Sequence, residues 1–185
     1  WISEIIAYPR KPKILHIIYL LQNEVLGWII RSFHENNEKG FDALSQIFDV
    51  ISRNKKPFWA AEILLQLRET DLSLFVPKCL SLLETSEKWM LLQNLAIKQE
   101  GLFFQIFPYF QNDFSLSRKE ILAQLIEQID RPSFYQRYIE LCEDPSEKLE
   151  LIKYVFDRKG DRKDSLILNS ILSLLPEKEK TVFLA

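Results

Sequence analysis

Between Phe41 and Ser52, apolar residues fall at Phe41, Leu44, Ile47, Phe48 and Ile51. Steps of three and four place them on one face of an α-helix. The same rhythm returns along the chain: Ile63, Leu64 and Leu67; Ile121, Leu122, Leu125, Ile126 and Ile129; Leu149, Ile152, Val155 and Phe156. First helices are predicted to begin near Phe41, Leu72, Leu102, Phe134 and Ser165. Partner helices are predicted near Pro57, Glu87, Arg118, Pro145 and Glu177. Polar stretches separate them. Asn36 to Gly40 reads as a turn ending in glycine, Thr70-Asp71 as a break and cap, and Gly101 as the end of a unit. Ser86 has the chemistry of an N-cap, and Pro57 suits the first turn of a helix.

The steps between units are all about 30 residues. Trp28, Trp59 and Trp89 keep nearly that interval, and so do Pro77 and Pro108. A single amphipathic hairpin cannot cover its own apolar stripe. Stacked hairpins bury a continuous core, the logic of a solenoid. The expectation is one helical-repeat domain over 1–185. Its N-terminal helices would occupy 1–40 and its repeats 41–71, 72–101, 102–131, 132–164 and 165–185.

The stretch from Leu74 to Trp89 resembles a HEAT repeat. Pro77 lies in the first helix, Glu84 to Glu87 form a short polar turn, and Ala96 is a small residue midway along the second helix. Leu102 to Ile129 repeats the pattern with Pro108 and Ala123. Lys88, Arg118 and Lys148 correspond loosely to a basic residue near the start of the second helix. The first and last units lack the first-helix proline, and the resemblance covers about Phe41 to Leu175. It implies an all-α fold, a right-handed α-solenoid of about five to six helical hairpins. It is nearly silent on function.

Composition narrows the function classes. The formal charge of −2 and the pI near 5.8 disfavour a nucleic-acid binder, which usually carries a basic field. The basic clusters Arg10-Lys11-Lys13, Arg53-Lys55-Lys56 and Arg158-Lys159-Arg162-Lys163 read as solvated loops. The stretch from Ile14 to Ile30 holds His16, Gln22, Asn23 and Glu24, so it reads as buried helix, with no membrane span. Cys79 and Cys142 lie about two repeats apart, out of disulfide reach, and two free thiols suit the cytoplasm. Trp1 in place of Met, and the apolar end Val182-Phe183-Leu184-Ala185, suggest a piece of a longer chain. Its ends would then pack on further repeats or a second chain.

Candidate chemistry is sparse. No metal-ligand spacing, phosphate loop or nucleophile elbow occurs, so no catalytic residue, cofactor or metal is expected. His16 reads as a core histidine, and Glu143 and Asp144 as caps. The tryptophans offer a stacking platform, but later units put Ile121 or Leu122, and then Leu149, in their place, which makes them core markers. A polar series is the better surface candidate. Glu62, Gln93, Gln124 and Lys153 recur on second helices, with Lys98, Gln128 and Asp157 one turn on. In HEAT-like solenoids second helices line the concave face, so this series would meet another protein or peptide. A noncatalytic interaction scaffold is the leading expectation. A HEAT-like DNA glycosylase using Trp89 and Asp130, or a structural segment of a larger protein, are the alternatives.

Overall fold

The computed structural model describes residues 18–159, 165–176 and 180. These residues are helical, with no strand among them. The helices are α1 (Gln22–Glu35), α2 (Asn37–Val50), α3 (Lys56–Leu64), α4 (Glu69–Ser81) and α5 (Thr85–Lys98). They continue as α6 (Glu100–Phe114), α7 (Arg118–Leu125), α8 (Pro132–Glu140), α9 (Pro145–Lys159) and α10 (Ser165–Leu172). Among these residues no helix is long and apolar enough to cross a membrane. The chain forms two compact units, Trp1–Asp113 and Phe114–Ala185.

Within each unit a helix packs on its neighbour and on the helix two places along. In the first unit α1 meets α2 and α3, α2 meets α4, and α3 meets α4 and α5. In the second, α7 meets α9, α8 meets α9 and α10, and α9 meets α10. Side chains mark the same step. Arg53 pairs with Glu84 at 2.9 Å and Lys119 with Glu150 at 2.5 Å, each pair 31 residues apart. The apolar faces close on one another, and Leu44, Trp59, Ile63, Leu92 and Phe107 are buried in the first unit. Ile121, Leu122, Phe134, Leu151 and Val155 are buried in the second.

Several boundaries differ from those read in the sequence. Asn36 to Gly40 is the start of α2 rather than a turn. The Asn36 side chain accepts the Glu38 N–H at 2.8 Å and caps the helix, which begins at the next residue. Gly40 lies inside α2 because α1 comes too close for a side chain. A Cβ there would stand 2.3 Å from Cγ of Phe33. The Phe33 ring in turn makes edge contacts with Phe41 at 4.8 Å and Phe75 at 4.9 Å, tying α1, α2 and α4 together. Thr70 and Asp71 lie in the first turn of α4, and Gly101 is the second residue of α6. Ser86 is not the cap of α5. Glu84 is, through a capping box: its side chain accepts the Glu87 N–H while the Glu87 carboxylate accepts the Glu84 N–H at 2.7 Å.

Other expectations hold in part. Pro57 occupies the first turn of α3, and Asp144 accepts the Glu147 N–H at 3.1 Å to cap α9. Ala96 is fully buried, whereas Ala123 is exposed and plays no packing part. Trp59 is fully buried, and Trp28 and Trp89 are half-buried, as is Leu149. His16, and the helix expected from Glu177 to Ala185 apart from Lys180, lie outside the described residues.

The second unit secures the end of α7 with a phenol. The buried Tyr135 hydroxyl donates to the Ile126 and Ile129 carbonyls, which the helix end leaves without internal partners. Tyr138 donates to the Arg118 carbonyl at 2.7 Å.

The glycines separate packing from propensity. Gly40→Ala should lower unfolding free energy by about 1–3 kcal/mol through overpacking against Phe33. Gly27, inside α1, has open space at its Cβ position, so Gly27→Ala should raise it by about 0.5–1 kcal/mol. Urea unfolding of both variants checks the opposite signs.

Candidate functional site

Leu20, Leu74 and Leu166 are the most exposed large apolar side chains among the described residues, and four others share a common spacing. Phe58, Leu65, Met90 and Ile97 are between 40% and 42% exposed, and all four lie on α3, its C-cap or α5. On α7 and α9 no large apolar side chain is exposed to that degree among the described residues. Phe58 and Leu65 are seven residues apart, and so are Met90 and Ile97. Two helical turns bring each pair back to one face, about 10 Å apart along the axis. The second pair follows the first by 32 residues, one repeat step on.

A cleft of about 60 Å³ lies between these helices. Phe58, Ala61, Glu62 and Leu65 line one bank, and Asn94, Leu95, Lys98 and Gln99 the other. Its size suits one inserted side chain and falls well below the 300 Å³ or more of a typical small-molecule site. A larger hollow of about 340 Å³ lies over Pro77, Leu80, Tyr109, Asn112 and Asp113. There the one carboxylate, Asp113, is already paired with Lys88 at 2.7 Å.

The structure therefore brings together only part of the polar series. Glu62 and Lys98 share the cleft. Gln93 is half-buried on α5 and does not line it, whereas the next residue, Asn94, does. Gln124 is exposed on α7, Gln128 on the 3₁₀ turn Ile126–Gln128, and Lys153 and Asp157 on α9. The exposed apolar residues missed by sequence reasoning are Phe58 and Leu65 on the cleft and Met90 and Ile97 elsewhere on α5. Their signal was present, an apolar i, i+7 pair lying off the core stripe on two successive second helices.

Asp130 is not free for chemistry. It accepts a hydrogen bond from Lys159 Nζ at 2.7 Å, and the Lys159 side chain is 1% exposed. A buried ammonium of this kind needs its counter-charge, and the last turn of α9 adds a favourable helix dipole. Trp89 belongs to the first unit and Asp130 to the second. Among the described residues no group of three His, Cys, Asp or Glu side chains gathers to hold a metal. No protein-family model, curated protein or solved structure matches the chain.

Both cysteines are buried thiols. Burial pushes Cys79 up from 9.0 to about 12. Burial, helped by a hydrogen bond from its S–H to the Glu147 carboxylate at 2.9 Å, pushes Cys142 up to about 11. Burial likewise holds Tyr138 well above the ordinary value of 10. Neither thiol is poised as a nucleophile near neutral pH, since the thiolate is the reactive form.

The titration has a sign. The unfolded chain loses these protons first, near pH 9, while the folded chain keeps them until about 11 to 12. Their contribution is intact below pH 9, and stability should fall as pH rises from there toward 12. Thermal melts across that range check the slope. At pH 7.5 both thiols should react with Ellman's reagent only after denaturant is added.

Proposed function

We propose that this chain is a noncatalytic interaction module. It would be a segment of a right-handed, HEAT-like α-solenoid, meeting a partner protein through its second-helix face. One observation carries the reading. The exposed apolar pairs Phe58/Leu65 and Met90/Ile97 repeat on successive second helices, and Phe58 and Leu65 line a cleft bearing Glu62 and Lys98. Single exposed apolar residues are ordinary on a protein surface, and it is the repetition of the pair at one repeat step that favours a binding face. Support for the solenoid comes from helix packing at every second place in each unit, from ion pairs 31 residues apart, and from Pro77 and Pro108 inside α4 and α6.

The first unit is thus favoured over the polar series of the second. A partner captured by the wild-type chain should be lost from Phe58→Asp and Ile97→Asp. It should be retained by Gln124→Arg and Lys153→Glu. Circular dichroism establishes that each variant is folded. Loss through the second pair with retention through the first would place the binding face on α7 and α9 instead.

A further inference from the structure

From the α3/α5 cleft we infer the form of the partner: an amphipathic α-helix whose apolar stripe is flanked by basic residues on one side and acidic residues on the other. The inference rests on the reading of this face as a binding surface and specifies what it binds.

The apolar part follows from spacing. On the cleft wall Phe58 and Leu65 present apolar groups about two turns apart. A helix laid along the cleft meets them with its own residues at i, i+3 or i+4, and i+7. The 60 Å³ cleft between the banks receives one apolar side chain from its centre.

The backbone of the partner is constrained as well. An extended peptide brings unpaired N–H and C=O groups, and each needs a partner when covered. The bed here consists of helices, whose backbone groups are spent internally. The Asn94 amide, on the cleft wall, donates to the Met90 carbonyl of its own helix at 2.8 Å. A docked helix satisfies its own backbone and asks for none of this.

The charges set direction. Glu62 stands on the α3 bank and Lys98 on the α5 bank. Neither has an ion-pair partner among the described residues, whereas Arg53, Glu84, Lys88, Asp113, Lys119 and Glu150 are all paired. A basic flank facing Glu62 and an acidic flank facing Lys98 complement both. Turning the helix end for end puts like charges together, so the pair selects one orientation.

The test is selection from a displayed library of helical peptides with a fixed apolar stripe and randomised flanks. The target is the intact chain, first checked by sedimentation. Recovered peptides should carry basic residues on one flank and acidic residues on the other. They should lose at least tenfold in affinity for Phe58→Asp. Selection on the Glu62→Lys chain should return acidic residues on both flanks, and selection on the Lys98→Glu chain basic residues on both. Flanks indifferent to either change would overturn the inference. So would a parallel library of proline-containing, extended peptides binding more tightly; binding that still depends on Phe58 would leave the surface reading standing. A dimer dispersed by Phe58→Asp would show the occupant to be a second copy and overturn the partner helix. No Phe58-dependent binding from either library would overturn both readings.

Discussion

Each helix of this protein has one stripe too apolar for water and no way to cover it alone. The covering is done by the adjacent helix and the helix two places along, within each unit. Almost everything else depends on that arrangement. It fixes the step of about 31 residues at which Arg53 meets Glu84 and Lys119 meets Glu150. It forces α1 and α2 so close that only a glycine fits at position 40, under the ring of Phe33. It also leaves a second, outward stripe on α3 and α5 that the core does not use.

That outward stripe separates the two units in character. In the first, α3 and α5 expose Phe58, Leu65, Met90 and Ile97, and Phe58 and Leu65 line a cleft with one carboxylate and one ammonium. In the second, α7 and α9 expose Gln124, Lys153 and Asp157, while α10 exposes Leu166. Three polar side chains of the second unit hold the fold: Tyr135 at the end of α7, Tyr138 on the Arg118 carbonyl, Lys159 on Asp130.

Helix identity was legible because it rests on periodicity, which local sequence carries in full. The ends were less so. Asn36 and Gly40 have the composition of a turn, and only the approach of Phe33 shows why glycine sits inside a helix. Glu84 as a cap was hidden by the better-known chemistry of Ser86 two residues on, although Glu84 and Glu87 have the spacing of a capping box. At the candidate site, stepping by 31 residues led from Glu62 to Gln93. The actual neighbour across the cleft is Asn94, one residue on, and a single residue turns a helix position by about 100°. Charge was visible in the sequence, but which side of a half-buried helix remains open was not.

The locality of the helix contacts has a kinetic consequence. Contacts made mainly to the next helix, or the one after, require only short loops to close, and the entropy lost in each closure is small. Chains of this kind reach the native state quickly, because no distant pairing must form before the rest is rewarded. A nucleus can form at any neighbouring helix pair and grow outward, so the order of assembly need not follow the order of the chain. The same locality sets a limit on rigidity. A helix at an end of a unit has fewer neighbours to hold it than one inside, and opening spreads inward from there.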